Sequence, residues 1–173
     1  MNHDLPAADS PLPVLGIDVS KLTLDLCLLR HSRPLHARFE NSPQGHRAML
    51  AWLAAQGVVK ALAALEATGH YSLAPATAAL LAGHRVAMLN PRRVLEFARS
   101  AGRRNKTDRA DALVIARFAA TQPVEDWQPL PPAQATLRDL LRRQADLEAQ
   151  LQAEARRLEC AATASALCKS LRR

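Results

Sequence analysis

Aromatic side chains are scarce in this chain, with three phenylalanines, two tryptophans and one tyrosine among 173 residues. A platform on which unpaired bases stack needs aromatic faces. Any nucleic-acid binding here would therefore depend on phosphate charge and shape. Cysteine is also sparse. Cys27, Cys160 and Cys168 are odd in number, and none has the short spacing of a zinc-ligand pair, which excludes a disulfide framework and a zinc-finger-like site. Cys27 reads as a small strand residue. Long apolar runs are missing too. The longest charge-free stretch, Ala67 to His84, is interrupted by Gly69, His70, Ser72 and Pro75, so it does not read as a membrane span. The first residues carry Asp4 and Asp9 and no apolar core of a secretion signal, so a cytoplasmic protein is expected.

Positive charge is what the sequence has in excess. Lys and Arg outnumber Asp and Glu by 23 to 16, a formal net charge of +7, which favours a polyanionic partner without identifying it. An apolar content of 49% in 173 residues suffices for one well-buried core.

Residues 1–13 hold three prolines and no periodic pattern and read as a flexible lead-in. Val14 to Asp18 is a short apolar strand. Leu22 to Leu29 follows across a tight Val19-Ser20-Lys21 connection, predicting an antiparallel hairpin. Leu35 to Glu40 adds a third strand. Asn41-Ser42-Pro43 supplies an N-cap and a proline at the first helical position, and Gly57 ends that helix. Val58 to Leu65 reads as a buried parallel strand with Glu66 at its carboxyl end. A helix from Tyr71 to Ala82, a strand from Arg85 to Leu89 and a helix opened by Asn90-Pro91 follow; Gly102 breaks the latter, and Thr107 caps a helix from Asp108 to Ala120. Residues 122–132 contain four prolines and read as a linker. Beyond it, Leu137, Leu140, Gln144, Leu147, Leu151, Glu154 and Leu158 fall at alternating three- and four-residue steps, the rhythm of a coiled-coil arm over residues 133–160. Residues 161–173, a basic tail, lose that rhythm.

Three strands and a helix followed by alternating strands and helices describe an RNase H-like α/β fold, a mixed sheet with flanking helices. In such a layout Asp18, Glu66, Asp108 and Asp111 converge on one edge of the sheet. Asp108 and Asp111 lie one helical turn apart, close enough to repel unless a cation sits between them, and they stand among Arg85, Arg92, Arg93, Arg99, Arg103, Arg104, Lys106 and Arg109. Four hard oxygen donors suit Mg²⁺ or Mn²⁺. Two such ions serve in-line displacement at phosphorus, one on the attacking and one on the leaving oxygen. Singly, each acid has a plainer reading: Asp108 and Asp111 as first-turn acids favoured by the helix dipole, Glu66 as a strand-end charge, Asp18 as a turn residue. Asp25, inside the second strand, reads as facing outward.

Gly16-Ile17-Asp18-Val19-Ser20-Lys21, Leu65-Glu66-Ala67-Thr68-Gly69-His70-Tyr71 and Lys106-Thr107-Asp108-Arg109-Ala110-Asp111-Ala112 together resemble the DEDD transposases of bacterial insertion sequences, the insertion sequence 110 and 1111 group. Asn90-Pro91 with Arg92, Arg93 and Phe97 extends the resemblance, which covers Val14 to Leu158. It implies a RuvC-like domain over residues 14–121 with Asp18, Glu66, Asp108 and Asp111 as metal-binding catalytic acids. It also implies DNA as substrate, guidance by an element-encoded bridge RNA, assembly through the arm as a homo-oligomer, and a further domain with a serine nucleophile. That serine domain is not expected in these 173 residues, and neither Ser165 nor Ser170 is assigned its role.

Lys21, Arg92, Arg93, Arg103, Arg104, Lys106 and Arg109 are the candidate nucleic-acid contacts, with solvated charge balance as the alternative for Lys106 and Arg109. His70 and Tyr71 read as packing or polar groups at a helix start. Three other functions compete with the transposase reading: a nucleic-acid-binding fragment without catalysis, a stand-alone RuvC-like nuclease or junction resolvase, and an actin-like sugar kinase or ATPase. The last is disfavoured by the absence of a glycine-rich phosphate loop.

Overall fold

The computed structural model describes residues 12–30, 33–67, 69–100 and 108–170. The chain divides into two units, Met1–Gln128 and Pro129–Arg173.

The first unit is built on one five-stranded sheet. β1 (Val14–Val19), β2 (Thr23–Arg30) and β3 (Arg33–Glu40) form an antiparallel meander, and β4 (Leu62–Glu66) and β5 (Arg85–Leu89) join in parallel on the other side, giving the order β3-β2-β1-β4-β5. This mixed sheet with flanking helices is the RNase H-like arrangement expected from the element order. The hairpin turn is closed by Ser20, whose hydroxyl accepts from Thr23 N at 2.9 Å while its own N–H donates to Thr23 O at 2.9 Å.

Successive strand residues point to opposite faces, and the core separates accordingly. Leu15, Ile17, Leu24, Leu26, Leu28, Ala63, Leu65 and Val86 pack with α1 (Pro43–Ala55) and α2 (Leu73–Leu81). Val14, Cys27, Leu62, Ala64, Ala87 and Leu89 pack against α3 (Pro91–Ser100) and α4 (Asp108–Thr121). Helix α1 starts as expected: the Ser42 hydroxyl accepts from Gly45 N at 3.1 Å and Pro43 follows it. It ends at Gly57, whose φ of 71° is left-handed backbone that other residues adopt at a cost.

Several boundaries differ from the sequence reading. β4 begins at Leu62 instead of Val58, and Val59 is 91% exposed, so Val58 to Ala61 is an approach to the strand. Helix α2 begins at Leu73 instead of Tyr71, because residues 69–72 form a turn in which the Ser72 hydroxyl donates to Gly69 O. The proline-rich run is not slack throughout. Trp127 N donates to Val86 O at 2.7 Å, Asp126 receives the Arg85 guanidinium at 2.7 Å, and Val124 packs on the α3–α4 side. Residues 123–128 thus lie along β5 and cover a strand edge.

The second unit is carried by one helix, α5 (Pro132–Ser170). It continues past Leu158, where the leucine rhythm stops, through the segment read as a tail. Leu137, Leu140, Leu147, Leu151 and Leu158 are all exposed on it. Among the described residues no helix is long and apolar enough to cross a membrane.

Candidate functional site

Gly16 fixes how the site is put together. A Cβ at that position would collide with the carbonyl oxygen of Ala112 and the amide nitrogen of Ala116. The α4 backbone therefore rests directly on β1, which only glycine allows. Asp111 precedes Ala112, and Asp18 lies two residues beyond Gly16 on the same face of β1. Ile17 pairs with Leu65, so Asp18 and Glu66 occupy the next position on adjacent parallel strands. Glu66 shares its face with Leu62 and Ala64, the face that α4 covers. Asp18 and Glu66 thus lie side by side at one end of the sheet, and Asp111 is on α4 next to the residue that touches Gly16; all three are half-buried. Asp108 is the first residue of α4; its side chain lies outside the described residues.

Asp25 corrects the sequence reading. It is not outward-facing but 5% exposed, and it accepts the Arg38 Nε–H at 2.8 Å. Alternation on β2 failed as a guide because both faces of that strand are covered, one by the α1–α2 core and the other by α4. Asp25 is the register partner of both Asp18 and Arg38.

Asn41, which the sequence offers only as part of a helix-capping signal, joins the turns that follow β1 and β4. Asn41 donates its amide protons to Ser20 O at 2.8 Å and Tyr71 O at 3.2 Å, and its backbone N–H donates to Leu22 O at 2.8 Å. Ser20 follows Asp18 by two residues and Tyr71 follows Glu66 by five. With both amide protons committed, Asn41 Oδ1 is an acceptor, and His46 Nε2 donates to it at 2.8 Å. His46 is buried, and that burial holds its pKa below the usual 6.5. The neutral tautomer with the proton on Nε2 suits this bond. The sequence signal was two cap-forming residues in succession, Asn41 and Ser42, when one N-cap is enough.

The basic residues are dispersed. Lys21 is exposed in the β1–β2 turn. Arg92 is exposed and paired with Glu96 at 3.1 Å one helical turn away, whereas Arg93 lies over the Phe118 ring at 5.4 Å and joins α3 to α4. Arg103, Arg104 and Lys106 fall outside the described residues, as do Thr68, Gly102 and Thr107; so does the side chain of Arg109. Arg85, counted among the basic neighbours of the acids, is instead taken up by Asp126. His70 and Tyr71 are exposed in the turn after β4.

Asp18, Glu66 and Asp111 are hard-oxygen donors of the type that divalent cations prefer. Among the described residues, which leave out the Asp108 side chain, no three His, Cys, Asp or Glu side chains form a metal-holding group.

A family model of transposases, the DEDD type of the insertion sequence 110 group, matches residues 15–164. The chain belongs to that family. Pilin gene-inverting proteins of Moraxella bovis and Moraxella lacunata are each 33% identical to it over 147 residues, 84% of this chain and 46% of their own length. The chain therefore spans about half the length of these curated relatives. Among solved structures, RuvC of T. thermophilus in complex with a Holliday junction substrate aligns at 19% identity and a TM-score of 0.47, covering 68% of this chain and 100% of that one.

Proposed function

We propose that this DEDD transposase chain performs metal-dependent phosphoryl transfer on DNA during transposition or recombination, with Asp18, Glu66, Asp108 and Asp111 as its catalytic acids. The observation that supports this reading is the side-by-side placement of Asp18 and Glu66 on β1 and β4, together with the close approach of α4, which carries Asp108 and Asp111, to β1 at Gly16. Divalent ions, two Mg²⁺ or Mn²⁺, would be held by these carboxylates and would supply charge stabilisation on both sides of the reacting phosphorus. The chain contributes placement: β1 and β4 set the positions of Asp18 and Glu66 side by side, α4 carries Asp111 next to its contact with Gly16, and Asn41 joins the turns after β1 and β4. Lys21, Arg92, Arg93, Arg103, Arg104, Lys106 and Arg109 serve the polyanion.

By family, the partners are DNA, an element-encoded bridge RNA and further copies of the chain joined through Leu137 to Leu158, in the cytoplasm. Residues 14–121 form the RuvC-like part, 122–132 the connection and 133–160 the arm. The test is Mn²⁺-dependent cleavage of branched and linear DNA by the purified chain beside an Asp18→Ala, Asp108→Ala variant. Cleavage abolished in the variant supports the assignment. Retained DNA binding without cleavage by the unaltered chain would reassign it to binding alone.

A further inference from the structure

Five of the six aromatic rings are taken up by packing. Phe39 lies against Trp52 and Phe97 against Phe118, and Trp127 packs on the α1–α2 core. The sixth, Tyr71, is 49% exposed in the turn that follows β4, and Leu22, in the turn that follows β1, is 72% exposed. Strands β1 and β4 run parallel, so both turns stand at the end of the sheet that carries Asp18 and Glu66.

A single exposed apolar side chain means little. These two are fixed to one residue. Asn41 donates its backbone N–H to Leu22 O at 2.8 Å and its side-chain amide to Tyr71 O at 3.2 Å. The Ser72 hydroxyl closes the second turn on Gly69 O at 3.3 Å, with Gly69 in the left-handed region at φ 67°. The backbone under both side chains is thus set in advance, which lowers the ordering cost of binding. Exposed Lys21 and His70 stand directly before Leu22 and Tyr71 and offer N–H donors, and neither turn contains an acid. An apolar contact flanked by such donors suits a ligand that is flat and apolar on its face and anionic at its edge, which describes a nucleotide. One ring is no platform for a run of bases, but it can hold one. Inside a duplex the base faces are covered by their neighbours; at a branch or in a single strand a face is open.

We propose that Leu22 and Tyr71 form a contact site for the open face of an unpaired nucleobase at the acid-bearing end of the sheet. This rests on the phosphoryl-transfer reading of Asp18 and Glu66. The ligand is a nucleobase, from DNA or from RNA.

The experiment titrates the full chain with DNA carrying the fluorescent base 2-aminopurine, unpaired at a branch in one substrate and enclosed in a continuous duplex in another, with a labelled single-stranded RNA as a separate arm. Tyr71→Ala is expected to weaken binding of the unpaired substrate by about 5- to 150-fold, the range of one base–aromatic stack, and to abolish the quenching that stacking produces. Binding of the continuous duplex is expected to stay as it was. Tyr71→Phe should keep both affinity and quenching, because stacking uses the ring and not the hydroxyl, and Leu22→Ser should weaken the unpaired substrate in the same selective way. None of these changes removes a charge, so the slope of log affinity against log salt should not move. A loss confined to DNA or to RNA identifies the source of the base. Equal affinity of Tyr71→Ala and the unaltered chain for the unpaired substrates overturns the site while leaving the acids untouched. An equal loss on the continuous duplex makes Tyr71 a support of its turn and also overturns the site. Failure of the unaltered chain to bind any of the three substrates overturns the site and the DNA reading together.

Discussion

Leucine does opposite things in the two units. In the sheet, Leu15, Leu24, Leu26 and Leu28 are at most 1% exposed, and each is enclosed by neighbours from strands and helices. On α5, Leu140 is 63% exposed, Leu151 72% and Leu158 71%. Helix α5 is held by its own backbone ladder and by pairs one turn apart, such as Arg157 with Glu154 and Gln144 with Glu148. The same residue type thus encodes a fold in one unit and an unpartnered stripe in the other. The contrast is between a core closed by strands and helices and a helix surface whose leucines stay exposed.

The largest effect comes from breaking that contrast directly. Leu26→Ala should cost about 2–5 kcal/mol of folding stability, since the cavity opens in a closed core. Leu151→Ala should cost under about 0.5 kcal/mol in the isolated chain, as exposed substitutions generally do, but should weaken self-association. Urea denaturation at low protein concentration compares the two, and sedimentation at rising concentration reads the second. A large stability loss from Leu151→Ala at low concentration would mean that the α5 leucines are already covered within one chain.

The same contrast explains what was legible in the sequence. Val14 to Asp18 and Val58 to Glu66 are apolar runs ending in an acid, so each strand and its candidate acid read together, although β4 begins only at Leu62. Ser42-Pro43 announced α1 because capping is local chemistry. Asp25 was misjudged because alternation reports one wet face, and β2 has none. Asn41 escaped because its work is done across 21 and 30 residues of sequence, to Ser20 and Tyr71, where no local pattern reaches. Trp127 sat in a proline-rich run that reads as slack, although its N–H is bound to β5. Helix α5 outlasts its leucine rhythm because helix formation depends on backbone propensity and not on the spacing of leucines.

Asn41 offers an intermediate effect within the first unit. Asn41→Ala removes two donors to carbonyls and the acceptor of His46, and should cost about 1–3 kcal/mol. The more telling outcome is local. Hydrogen exchange should accelerate around Ser20 and around Gly69 to Tyr71 more than in β1 or β4, and Mn²⁺ affinity should fall. Uniform acceleration through the whole sheet would make Asn41 a general stabiliser rather than the tie between the acid-bearing loops.

The smallest effect separates buried from exposed histidine chemistry. His46 and His84 are buried, and burial lowers both pKa values from the usual 6.5. His84 Nδ1 also accepts from Ala61 N at 3.3 Å, which a protonated ring could not do. In the unfolded chain both titrate near their ordinary value. Between that value and the lowered folded one, the unfolded chain binds more protons, so stability falls as pH drops through about 6.5 and keeps falling until the folded pKa is passed. Above that window their contribution is fully present and flat. A variant with His46→Gln and His84→Gln keeps hydrogen-bonding side chains at both positions and removes the titration, so the decline in Tm between about pH 7.5 and 5.5 should shrink relative to the unaltered chain. An equal decline in both would place the acid sensitivity outside His46 and His84.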